Sequence, residues 1–123
     1  MIKNILLVGF GGGAGSVARY LCQRWFAFHY LHPIPWGTFA VNILGCFAIG
    51  IFWGLTFKSF ADTEHWKLLL MTGLCGGFTT FSAFTLEGIG LIKEQRFGLF
   101  FVYVVSSVIV GLLATYVGMK LIR

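Results

Sequence analysis

Charge is scarce in this sequence. Only 11% of its 123 residues are Asp, Glu, Lys or Arg, against about 25% in a soluble domain, so no ordinary aqueous surface can be built from it. That excludes a soluble enzyme core, and a hydrophobic content of 58% with 18% aromatics excludes a disordered chain. Cysteine is too sparse for a disulfide framework: Cys22, Cys46 and Cys75 fall in three separate apolar segments with no CxxC pair, and read as small buried apolar residues. The His29-x-x-His32 pair has a spacing some metal sites use but no third ligand nearby, so both read as loop residues. No Ser/His/Asp or Cys/His constellation can be assembled, because the hydroxyls lie in apolar segments and the histidines in loops, so no catalytic residues are expected and the chain is not an enzyme. Nine basic residues give a net charge of +5, yet they are scattered among segment ends without a basic face, which excludes a nucleic-acid surface and fits interfacial anchoring in membrane lipid.

Long apolar runs are what the sequence does have. Residues 4–18, 25–57, 68–86 and 97–119 contain no charged side chain, and a membrane-spanning helix needs roughly 20 mostly apolar residues. The expected fold class is therefore an all-α membrane protein, a single domain over residues 1–123 with four transmembrane helices at about 4–28, 36–57, 68–92 and 97–122. His29, Pro33 and Pro35 mark the first turn, residues 58–67 with Asp62, Glu64 and His65 a polar loop, and 93–96 a short charged turn. The first run exceeds signal-peptide length and reads as a retained span. Gly9-x-Gly11-x-x-Ala14 satisfies a dinucleotide fingerprint on paper, but the acidic residue needed about 20 positions on is absent, the first being Asp62.

Small residues four apart let helices approach closely in lipid, and Gly11/Gly15, Gly50/Gly54 and Gly73/Gly77 supply three such pairs. The first two read as packing. Gly76-Gly77 is followed at once by Phe78-Thr79-Thr80, so the third helix is expected to break there, in mid-membrane, which is tolerated only where the freed backbone is buried in protein or lines a hydrated cavity. Across the membrane, Lys3, Lys58, Lys67, Lys120 and Arg123 fall on one side, and Arg19, Arg24, Lys93 and Arg96 on the other. Five against four is almost no bias, so the positive-inside rule fixes no orientation.

Uncharged polar residues recur within the spans. Thr38, Asn42 and Cys46 share one face of the second helix, and Tyr103, Ser107 and Gly111 one face of the fourth. The third adds Thr79, Thr80, Ser82 and Thr85 around Phe81 and Phe84. Interhelical hydrogen bonding accounts for such residues in many membrane proteins. Amide and hydroxyl donors together with the electropositive edges of phenylalanine rings also make a lining for a small anion without a buried lysine, and conduction requires binding that is favourable but weak.

Three segments carry a closer likeness: residues 12–20 (GGAGSVARY), 37–45 (GTFAVNILG) and 73–84 (GLCGGFTTFSAF). In these, and in length and helix count over essentially the whole chain, the sequence resembles the Fluc (CrcB-type) fluoride ion channel family. That resemblance implies an antiparallel, dual-topology homodimer that passively exports fluoride through two pathways across a microbial cytoplasmic (inner) membrane. It implies that Phe81 and Phe84 form the family's phenylalanine box and Asn42 its pore asparagine. Thr38, Ser82, Tyr103 and Ser107 would lie on the polar side of the pathways and Arg19 near a vestibule. The main-chain carbonyls of Gly76 and Thr79 would hold a structural sodium ion (Na+) at the dimer centre. Many relatives carry a hydroxyl where this chain has Ala83. The alternative, a small dual-topology proton-coupled multidrug exporter, needs a carboxylate deep in a span, whereas the one candidate, Glu87, falls in the latter part of the third helix, toward the interface.

Overall fold

The computed structural model describes residues 1–30, 33–58 and 63–122. Among them every regular element is helical, and four spans are long and apolar enough to cross a membrane. α1 (Ile2–His29) and α2 (Trp36–Lys58) are continuous. The third span, Thr63–Lys93, is assembled from α3 (Thr63–Trp66), a π-helical stretch (Lys67–Cys75), α4 (Gly76–Phe78) and α5 (Phe81–Lys93). α6 (Phe97–Leu121) is the fourth. The 23 residues of α2 reach about 35 Å at ~1.5 Å per residue, more than the ~30 Å hydrocarbon layer.

Helix ends follow local chemistry. Pro35 precedes α2, and its carbonyl accepts from the Phe39 amide at 3.1 Å. Between α5 and α6 the chain turns on Gln95, whose φ of 58° is left-handed, and Arg96 N–H closes the turn on Leu91 O at 2.9 Å. The polar loop expected over residues 58–67 is shorter than that. Thr63–Trp66 is helical and Lys67 opens the π-helical stretch, because an apolar run beginning at Trp66 satisfies its backbone internally where water is lacking. His29 is the last residue of α1 rather than a loop residue, its ring stacked on Trp25 at 4.2 Å. His32, Asp62 and Arg123 lie outside the described residues.

Glycine sets the spacing of the helices. α1 packs chiefly on the first half of the third span, and α2 chiefly on α6. A methyl on Gly15 would strike the Leu74 carbonyl and come within 2.8 Å of the Phe78 amide, and one on Gly77 would strike the Gly12 carbonyl. Between α2 and α6, a methyl on Gly50 would meet the Thr115 carbonyl and one on Gly118 the Phe47 carbonyl. These are backbone-to-backbone seams, so Gly73/Gly77 packs in the same way as the other two pairs.

That packing moves the expected interruption of the third span. Gly76 has helical dihedrals (φ −62°, ψ −37°) and the helix continues through Phe78. Thr79 (φ −83°, ψ 156°) and Thr80 (φ −147°, ψ 117°) are the residues in extended conformation. Gly77, held against α1, keeps helical geometry. The two threonines leave it because Thr80 finds a partner on another helix.

Candidate functional site

That partner is Asn42. Its Oδ1 accepts from the Thr80 amide at 2.7 Å, and its Nδ2 donates to the Thr80 carbonyl at 3.0 Å. The side-chain amide thus stands in for a second peptide group and satisfies both backbone groups of a residue that is 8% exposed. Thr80 Oγ1 caps α5 by accepting from the Ala83 amide at 3.1 Å. Thr79 turns back instead, with both its amide (3.0 Å) and its hydroxyl (2.9 Å) donating to the Cys75 carbonyl. Arg19 Nε donates to the Gly77 carbonyl at 3.0 Å, so this guanidinium, expected near a vestibule, serves a carbonyl left over from the helix end. The carbonyls of Gly76 and Thr79 accept no hydrogen bond among the described residues.

The residues singled out in the sequence separate into two nests. Asn42, Phe81, Phe84 and Ser107 line one cavity of about 370 Å³, together with Gly76 and Thr79. The Phe81 and Phe84 ring centroids are 5.9 Å apart with planes tilted by 44°, and Phe81 is 77% exposed in the single chain. Ser107 Oγ is buried without a hydrogen-bond partner, and it is the one such side-chain atom among the described residues. Its neighbour Ser106, by contrast, satisfies itself on the Val102 and Tyr103 carbonyls of its own helix. One Nδ2 hydrogen of Asn42 is engaged by Thr80, which leaves the other for a ligand.

The second nest is centred on Glu87, a residue the sequence did not bring forward as part of the site. Thr38 Oγ1 donates to its Oε1 at 2.7 Å and Tyr103 OH to its Oε2 at 3.2 Å; both partners are 2% exposed. Gln23 Nε2 donates to Thr38 Oγ1 at 3.1 Å, extending the network to α1. Thr38, Ala83 and Glu87 line a cavity of about 440 Å³ beside the α1–α2 turn, so a hydroxyl at position 83 would add a polar atom to this nest. Ser82 belongs to neither cavity lining and lies 3.3 Å from Thr80 Oγ1. The nests touch where the Phe84 and Tyr103 rings stand 5.1 Å apart. With both hydroxyl protons of Thr38 and Tyr103 turned to Glu87, neither is available to an anion in this arrangement. The signal that could have found Glu87 is its spacing from Ala83 and Phe84, four and three positions back on the same face of α5.

Among the described residues no three His, Cys, Asp or Glu side chains come together as a metal site. The unpartnered Gly76 and Thr79 carbonyls are hard oxygen donors of the kind that suits a hard cation.

Four apolar spans with a polar seam between them define a multi-pass membrane protein, with ion passage rather than catalysis as the chemistry that the uncharged lining around Asn42 and Ser107 suits. The chain belongs to the CrcB family, matching CrcB-like protein, Camphor Resistance (CrcB), over residues 6–119. It is 45% identical over 117 residues to a protein of Phocaeicola vulgatus named fluoride-specific ion channel FluC, covering 95% of this chain and 96% of the relative. Proteins of the same name from Leptospira interrogans (40% over 121 residues, 98% and 95% covered) and Flavobacterium psychrophilum (42% over 118 residues, 96% and 95% covered) are also similar.

Proposed function

We propose that this protein is a fluoride-selective channel that lets the anion leave the cell passively, with family membership supplying the ion and the cavity around Ser107 supplying the chemistry. The observation that carries the reading is that orphan hydroxyl. A buried polar atom without a partner is costly, and here it shares a cavity with an unused amide hydrogen of Asn42 and the rings of Phe81 and Phe84. These are weak donors, suited to replacing part of an anion's water shell without trapping the ion. The cavity beside the α1–α2 turn, with Thr38, Glu87 and Tyr103 at its network, would be the approach to it. Glu87 sits at that end of the bundle with both oxygens engaged by hydroxyls, which does not favour a proton-exchanging drug exporter.

The finer parts of the proposal concern assembly. A near-zero charge bias supports insertion in both orientations and pairing of antiparallel copies in the inner membrane of a microbe. The extended pair Thr79–Thr80 would then be the mid-membrane break in the third helix. Pairing would cover the open cavity and Phe81, and bring the Gly76 and Thr79 carbonyls of two chains around one axis. Four neutral oxygens would suit a structural sodium ion better than a divalent one, which would be left with more uncompensated charge. The deciding experiment is efflux from liposomes containing only the purified protein. Rapid loss of trapped fluoride with chloride retained is expected, and no fluoride efflux under a permissive voltage would overturn the proposal.

A further inference from the structure

The other end of the protein carries a site of a different kind. α2 and α6 run side by side and finish together, with Gly54 facing Ile122, and between their last turns lies a cavity of about 460 Å³. Its walls are Trp53, Tyr116, Met119 and Ile122, and Lys58 and Lys120 line it as well. Lys120 Nζ stands 5.4 Å from the Tyr116 ring centroid, and a third ammonium, that of Lys67, stands 5.6 Å from the ring of Trp53. Among the described residues none of these three lysines forms an ion pair.

The charge balance there is positive. Glu64, three residues before Lys67, and two helix C-termini at about half a negative elementary charge each oppose the three ammonium charges among the described residues, which leaves roughly one of them uncompensated. The opposite end of the bundle is built otherwise. There Arg96 is paired with Glu94 at 3.1 Å, Arg24 lies over the Phe28 ring, and the cavity contains the carboxylate of Glu87. Interfacial aromatics and lysines anchor many spans singly. A cleft that joins two unpaired lysines to an apolar wall offers something more specific, an anionic head together with the start of a hydrocarbon tail.

We propose that the α2–α6 cleft binds an anionic glycerophospholipid, its phosphate held between Lys58 and Lys120 and an acyl chain lying along Met119 and Ile122. The apolar wall selects a lipid over a soluble anion, and the uncompensated charge selects an anionic headgroup over a zwitterionic one. The inference does not depend on which ion the protein conducts.

Trp53 in the cavity wall supplies the probe. In a single-tryptophan protein (Trp25→Phe, Trp36→Phe, Trp66→Phe), quenching of Trp53 fluorescence is compared between vesicles containing brominated phosphatidylglycerol and vesicles containing brominated phosphatidylcholine. Phosphatidylglycerol is expected to quench at a mole fraction lower by roughly fivefold for each lysine engaged. Lys58→Gln with Lys120→Gln should bring the two lipids to equality, and Lys58→Arg with Lys120→Arg should keep the preference. Equal quenching in the lysine-bearing protein, or a preference that survives in the glutamine pair, overturns the proposal. Loss of the preference on adding millimolar inorganic phosphate, with ionic strength held constant, identifies a soluble anion and overturns the lipid assignment. If the single-tryptophan protein does not assemble, native mass spectrometry of the unsubstituted protein reads the same preference as retained phosphatidylglycerol over phosphatidylcholine.

Discussion

Replacing Asn42 with alanine removes both hydrogen bonds that hold Thr80 out of the helix, at 2.7 and 3.0 Å. Each contributes about 1 kcal/mol net, and leaving buried Thr80 groups unpaired raises the cost further, so the loss is about 2–4 kcal/mol. Even the lower figure is roughly a 30-fold shift in a conformational equilibrium, at about 1.4 kcal/mol per factor of ten. The competing state is identifiable. Once released, the Thr80 amide can return to the Gly76 carbonyl four residues back, continuing the helix and carrying Phe81 and Phe84 together out of the cavity they line with Asn42. Asn42→Ala should therefore lower fluoride efflux from liposomes at least 30-fold and also lower the thermal midpoint of the purified protein in detergent. Asn42→Asp keeps the acceptor for the Thr80 amide but loses the donor to its carbonyl, so its midpoint should fall between the two. Efflux lost with an unchanged midpoint would mean that Asn42 acts on the ion alone, and unchanged values of both would refute the reasoning altogether.

Gly15→Ala forces a methyl into the Leu74 carbonyl and should destabilise the protein by about 1–3 kcal/mol, whereas Gly13→Ala, with nothing within 4 Å, should leave the thermal midpoint unchanged. Phe81→Ile and Phe84→Ile keep apolar volume but lose the ring edge, so protein that elutes like the unsubstituted form on size exclusion should show much reduced fluoride efflux. Two lysines added beside Lys120 should fix one orientation and two beside Lys93 the other; each variant alone should be inactive and their co-expression active, as growth in fluoride can report. Exchange of sodium for a large organic cation throughout purification should lower both the thermal midpoint and the efflux, and indifference of both would remove the carbonyl-bound ion.

The four spans were legible because proline or charge marks their ends: Pro33 and Pro35 punctuate the first turn inside a run without charge, and Lys93 and Arg96 bracket the last. The glycine pairs were legible as contact surfaces because a residue without a Cβ has few other uses in a helix exposed to lipid. What sequence could not show was which backbone each glycine meets. Gly76-Gly77 reads as a weak point in isolation, yet the Gly12 backbone opposite makes it a packed one. The departure from helix at Thr79 and Thr80 depends on an asparagine 38 positions away, a pairing with no local signal. Glu87 was read only as a carboxylate toward the interface for a similar reason. Its partners Thr38 and Tyr103 lie on two other helices, so a carboxylate that looks interfacial by position is tied to two residues expected to line the pathway. The π-helical stretch has no composition that distinguishes it from its α-helical neighbours.

The two extended residues also divide the protomer mechanically. Before them, the third span is fastened to α1 through glycine contacts; after them, α5 leans mainly on α6. The third span thus consists of two helical pieces joined by two extended residues, and α2 touches both. The angle between the two pieces is set at Thr79 and Thr80, the point where Asn42 clasps the backbone from α2. Because a side-chain amide holds that joint from outside, one residue of α2 fixes it and the helical hydrogen bonds on either side stay intact.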